Sequence, residues 1–167
     1  MLNQLKSLTE RVDGSNELVG QWLLQRKHLL VAWYNLVGLK PGKNSLAAID
    51  EMALDAFCQG LVDYLSAGHF HIYARIIGEI KENYAQLATT QICPQLETNT
   101  QQIMAYYDLH LESAFEHDDF TLFQQALSGL GEAMESRFAL EDKLILMALD
   151  LHQDLSANDG NQLTRPA

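Results

Sequence analysis

Residues 118–151 read DDFTLFQQALSGLGEAMESRFALEDKLILMALDL, and the spacing inside this stretch decides the fold. Phe123, Leu127, Leu130, Met134, Ile145 and Ala148 recur at the three- and four-residue intervals of one helix face. Asp118 or Asp119 stands where a short carboxylate can accept from the orphan N–H groups of a first helical turn. The pattern predicts a helix to about Leu151, on the order of 45 Å long at 1.5 Å per residue. Ser128-Gly129-Leu130-Gly131 is the place where it is expected to bend. An amphipathic helix of this length gains its stability by covering its apolar face with other helices.

The rest of the chain supplies them. Leu2, Leu5, Leu8 and Val12 predict a short first helix. Ser15 or Asn16 caps a second helix that runs to Val37, and Gly38-Leu39-Lys40-Pro41-Gly42 stops it. Ser45 caps a third, which carries Ile49, Ala53, Phe57, Leu61 and Tyr64 to a stop at Gly68. A fourth segment covers about 70–81, and a fifth runs from near Thr90 to Phe115, with Pro94 tolerable only in its first turn. No internal repeat and no alternating strand pattern is present. The fold class is therefore all-α: a single-domain up-and-down helical bundle of four main helices with short N-terminal and connecting helices. Residues 1–152 form the bundle and 153–167 a flexible polar tail.

Composition agrees with a globular domain. The chain has 167 residues, 47% hydrophobic and 20% charged, a size that buries a sufficient core without a metal or disulfide. Cys58 and Cys93 make no disulfide framework, so a reducing cytoplasm is expected. The longest apolar runs, Leu29–Tyr34 and Leu144–Leu149, have six residues each, far short of the ~20 that cross a bilayer. Met1-Leu2-Asn3-Gln4-Leu5-Lys6 lacks the basic flank and apolar block of a signal peptide.

Charge is distributed unevenly. Residues 1–81 hold eight acids and eight bases, whereas 82–164 hold fourteen acids against Arg137 and Lys143 alone. That surface repels nucleic-acid phosphates and favours a basic protein partner, although acidic faces also serve solubility.

Tests for chemistry fail. A di-iron bundle needs Glu-x-x-His pairs, and no carboxylate stands three positions before any of the six histidines. His69 and His71, at i and i+2, diverge by about 200° on a helix, so no metal site is expected. Gly38–Lys43 has the wrong spacing for a phosphate loop and no preceding strand. Neither cysteine has a histidine or CxxC partner. No catalytic residue, cofactor or metal is expected, and the chain does not read as an enzyme.

Two anomalies remain. Arg26 falls within the apolar arc Leu18, Trp22, Leu29, Trp33 and Leu36, and Glu141 lies at the centre of the stripe of the last helix with Arg137 one turn before it. Buried charges must pair, so Arg26, Arg137 and Glu141 are expected to form a structural polar cluster through an Arg26–Glu141 or Arg137–Glu141 bridge. The alternative is that they line a partner groove or ligand pocket. The second anomaly is the stripe Met52, Ala56, Gln59 and Asp63, which leads past Gly68 to Phe70 and Tyr73. It is either a surface for a partner helix or a core margin with a solvated Asp63.

The runs Met1-Leu2-Asn3-Gln4-Leu5, Leu8-Thr9-Glu10-Arg11-Val12 and Arg26-Lys27-His28-Leu29-Leu30-Val31-Ala32 form one part of a known pattern. Tyr34-Asn35-Leu36-Val37-Gly38, Phe57-Cys58-Gln59, Leu61-Val62-Asp63-Tyr64-Leu65-Ser66-Ala67-Gly68-His69-Phe70 and Leu140-Glu141-Asp142-Lys143-Leu144-Ile145-Leu146 continue it. Over about residues 1–150 the sequence closely resembles the Rsd/AlgQ family of bacterial anti-sigma factors, and the tail from His152 departs from that pattern. The resemblance implies a helical cytoplasmic protein that binds the C-terminal region of the primary, sigma-70 type sigma factor. It would thereby withhold that factor from core RNA polymerase and favour alternative sigma factors in stationary phase. Family members are also linked to the phosphocarrier protein of the sugar phosphotransferase system and to the guanosine-tetraphosphate hydrolase, which gives an alternative reading as a metabolic-state adaptor. On this basis the expected partner-binding patch is Asp63 with Gln59, Met52 and Phe70, Asp63 pairing with a sigma arginine or lysine and Phe70 acting as an anchor. Leu18, Trp22 and Arg26 would line the facing groove if the second helix opens, although core packing is the expected use of both tryptophans.

Overall fold

The computed structural model describes residues 1–12, 14, 16–38, 46 and 51–159, with side chains described up to 149. Every regular element among these residues is helical, and they form one helical domain. Helix α1 is Leu2–Val12 and α2 is Glu17–Val37. Helix α3 covers 51–79 and α4 covers 82–116, each a continuous rod that passes through π turns. Helix α5 is Phe120–Asp159 and continues past the end expected near Leu151. Ser15, the breaker residues 39–42, Ser45, Ile49 and the tail from 160 lie outside the described residues.

Local chemistry accounts for the ends. The Asn16 side chain accepts the Val19 N–H at 3.1 Å and caps α2. At α5 the cap is Asp119, whose Oδ1 accepts the Leu122 N–H at 2.9 Å. Asp118 instead takes a left-handed φ of 49° and uses its carboxylate on the Leu46 N–H at 2.9 Å. Ile80 and Lys81 are extended and separate α3 from α4.

Gly68 is not the stop that the sequence predicts. The Tyr73 N–H bonds to the Gly68 carbonyl, five residues back, so the helix widens into the π turn Gly68–Ile72 and continues. The segment expected at 70–81 is thus the second half of α3. Glycine is required at 68 for a different reason: a Cβ there would lie 2.7 Å from the Tyr73 phenol oxygen. Likewise α4 starts at 82 instead of near Thr90, with Pro94 inside it. The π turn Ala88–Ile92, closed by the Cys93 N–H on the Ala88 carbonyl, immediately precedes that proline. A widened turn relieves the clash of the ring with the carbonyl four residues earlier.

The core is drawn from all five helices: Leu5 and Leu8 of α1, Trp22 and Leu30 of α2, Phe57 and Leu61 of α3, Leu96 and Ile103 of α4, and Phe123 and Ile145 of α5. Removing this set from water is the main term opposing the entropy of the ordered chain. At the expected bend, α5 runs unbroken. The Trp33 ring packs over Gly131 and the Tyr106 ring over Gly129, closer than a Cβ would allow. The Trp33 indole N–H donates to the Leu127 carbonyl at 3.0 Å and fixes that approach. Among the described residues, no helix is long and apolar enough to cross a membrane.

Candidate functional site

The arcs that place Arg26 on α2, and Arg137 and Glu141 on α5, against the core bring all three into one cluster. Glu141 is 0% exposed, Arg137 1% and Arg26 2%. Glu141 Oε2 accepts from Arg26 Nη2 at 3.1 Å and from the Tyr64 hydroxyl. Its Oε1 accepts from Arg137 Nε at 3.0 Å and from the Tyr73 hydroxyl at 2.6 Å. Each carboxylate oxygen therefore has both acceptor positions filled. Both expected bridges form.

The two guanidinium groups are held just as fully. Arg26 also donates to Tyr64 and Asp142 and stacks over the Phe138 ring at 4.7 Å. Arg137 donates to Thr100 at 2.9 Å, to Asn99 at 3.4 Å and to the Tyr73 hydroxyl at 2.8 Å. Two arginines face two carboxylates, so the cluster is electrically balanced, the condition under which buried charge is tolerated. Burial pulls the Arg26 guanidinium down, but the oxygens of Tyr64, Glu141 and Asp142 more than offset this and hold it above its ordinary value. Burial and the adjacent Glu141 push both Tyr64 and Tyr73 up, so both stay protonated donors.

This saturation corrects the reading in which α2 opens toward a partner. Trp22 and Arg26 are core residues, and Leu18 is half-buried against the same core. Pulling Arg26 outward would orphan Glu141 in an apolar surround. Tyr64, Tyr73, Asp142, Asn99 and Thr100 were not anticipated as members. The only sequence signal for them was the need of the three charges for partners.

The second constellation is on the outside. Along α3, Met52 is 79% exposed, Gln59 and Asp63 are exposed, and Phe70, in the π turn, is 76% exposed. Gln59 Nε2 donates to Asp63 Oδ1 at 2.8 Å, which holds the carboxylate out along the helix. Beside Asp63 runs a groove of about 390 Å³ between α2 and α3, lined by Gln25, His28, Ala32, Ala56, Gly60 and Asp63. Ala32, Ala56 and Gly60 fill little of the space between the helices, so a partner helix can approach their backbones closely. On the other flank, Cys58 exchanges a hydrogen bond with Tyr107, and burial pushes its thiol up. His69 sits between surface and core: its Nε2 is 2.7 Å from Thr100 Oγ1, and burial together with Arg137 lowers its affinity for a proton. Among the described residues, no three His, Cys, Asp or Glu side chains are grouped to hold a metal ion.

A helical body whose buried charges serve its own packing, and whose two most exposed large apolar side chains among the described residues, Met52 and Phe70, share a helix with an exposed acid, has the make-up of an interaction protein. The chain belongs to the Rsd/AlgQ family: the family model described as regulator of RNA polymerase sigma(70) subunit, Rsd/AlgQ, matches residues 1–149. Curated relatives named regulator of sigma D are similar over their full length. The one from Enterobacter sp. (strain 638) is 62% identical over 167 residues, covering all of both chains. Those from Salmonella arizonae and Salmonella paratyphi B are 59% identical over the same span. These relatives align through the tail as well, beyond the end of the family model. The family is one of regulators of the sigma(70) subunit of RNA polymerase.

Proposed function

We propose that this chain is a cytoplasmic anti-sigma factor that binds the C-terminal region of the primary, sigma-70 type sigma factor. Binding withholds that factor from core RNA polymerase and favours alternative sigma factors in stationary phase. The observation that carries the reading is the α3 surface: Phe70 and Met52 exposed to water on the same helix as Asp63, beside a groove with a small-residue floor. Aromatic and methionine side chains in contact with a partner supply most of an interface's energy, and a rim carboxylate supplies register and specificity. DNA-reading helix-turn-helix modules are basic because they must meet phosphates, so a partner arginine or lysine on Asp63 is the complementary contact.

The test is a binding titration of the purified sigma C-terminal region against wild type, Asp63→Arg and Phe70→Ala. Both substitutions lie on the surface and leave helicity unchanged. Asp63→Arg places like charges in contact and lowers affinity by about tenfold or more, and Phe70→Ala does the same through lost burial. Wild-type affinity in both variants removes this surface from the site.

A further inference from the structure

We infer that the chain carries a second docking surface, on the outer side of α4 and in the α4–α5 groove, that takes a basic amphipathic helix of a partner protein. Between residues 82 and 136 there are nine Asp and Glu and no Lys or Arg. Of the two cations that bracket this stretch, Lys81 precedes α4 and is exposed, whereas Arg137 is buried in the polar cluster and contributes no surface charge. The π turn Tyr106–Leu111 lies in the middle of this acidic stretch. Within it, Tyr107 reaches Cys58 on α3 and Tyr106 lies on Gly129 of α5, so both tyrosines face neighbouring helices. Leu109, two and three residues on, therefore points away from the core and is 68% exposed, with Asp108 and Glu112 exposed at its sides.

Next to Leu109 is a groove of about 420 Å³ lined by Tyr106, His110, Leu122, Gln125, Gly129 and Glu132. A groove with an apolar ridge and acidic margins matches a helix with a leucine-type anchor and flanking lysines or arginines. The negative field of Asp108, Glu112 and Glu132 decides among occupants. It repels phosphate polymers and anionic membrane surfaces, and it speeds and orients the approach of a basic helix. This surface shares no residue with the α3 patch of the proposed sigma contact.

The experiment uses the full chain and a labelled amphipathic peptide of leucine and lysine. Amide shifts in the protein are followed as the peptide is added, and affinity is read by anisotropy at low and high salt. The expected result is shift changes centred on residues 106–112 and 122–132. Leu109→Ser should weaken peptide binding by about tenfold, with unchanged helicity and unchanged binding of the sigma C-terminal region. Asp108→Asn with Glu112→Gln should flatten the salt dependence. Shift changes centred on residues 52–70, or a Leu109→Ser affinity equal to wild type, overturn the inference.

Discussion

Replacing Glu141 by glutamine changes one oxygen to an NH2 and removes one charge, and the structure gives a large cost for it. Four donors converge on the carboxylate: Arg26, Tyr64, Tyr73 and Arg137. A glutamine amide keeps one acceptor oxygen and turns the other position into a donor, so either the Arg26–Tyr64 pair or the Arg137–Tyr73 pair meets another donor. The cluster also acquires an uncompensated positive charge at a site with no exposed surface. Breaking a buried pair from one side costs about 3–5 kcal/mol. For a chain of this length each kcal/mol moves the melting temperature by about 2–4 °C, so the expected loss is about 6–20 °C. Thermal melts followed by circular dichroism measure it, and urea unfolding should show a lower midpoint at unchanged slope. Two comparisons identify the cause. Asp142→Asn, at a side chain 30% exposed, keeps an oxygen acceptor for Arg26 and lets solvent screen the missing charge, so it should cost less than Glu141→Gln. Arg137→Met combined with Glu141→Leu removes one charge of each sign and leaves Arg26 with Asp142, so its loss should fall short of the two single losses added together by about 1–3 kcal/mol. A Glu141→Gln protein melting within about 2 °C of wild type would refute the buried, saturated cluster.

Other expectations follow from single contacts. Gly68→Ala pushes a Cβ against the Tyr73 phenol and should cost about 1–3 kcal/mol. Tyr73→Phe removes the oxygen that is struck first, so the double variant should lose less than the two single losses combined, as measured by urea unfolding. Burial and the Arg137 guanidinium hold the folded-state pKa of His69 below the ordinary imidazole value of 6.5. Its contribution is therefore complete above that pH and is lost as the unfolded state takes up the proton below it. Melts at about pH 7.5 and about pH 5.5 should show a smaller acid-side loss in His69→Gln than in wild type. Equal losses in the two proteins would remove His69 as a source. Gly129→Ala must displace the Tyr106 ring that α5 carries, so it should destabilise by about 1–3 kcal/mol and raise the exposure of tyrosine to a fluorescence quencher.

What was legible in the sequence is what a helix encodes locally. Apolar spacing placed the helices, and Asn16 and Asp119 were among the expected caps because a short side chain reaches only its own first turn. The same 100° rotation put Arg26, Arg137 and Glu141 toward the core and left the stripe of Met52, Gln59 and Asp63 at the border of the buried arc, where the structure exposes it together with Phe70. The need of the first group could be stated from position alone, because buried charges must pair; for the second, spacing left a partner surface and a core margin equally open.

The chain alone did not show which groups would meet. Tyr64 and Tyr73 are nine residues apart, and on an ideal helix they point about 180° from each other. The π turn at Gly68–Ile72 absorbs one extra residue and swings Tyr73 round, so that both phenols reach Glu141. Whether a glycine ends a helix or widens it depends on what lies across the core, and here a carboxylate from α5 lies there. Arg26 likewise finds Asp142 across 116 positions of sequence. Periodicity is a property of neighbours along the chain and is written in it. The partner of a buried charge is settled only when five helices close on a common interior and every donor there must find an acceptor.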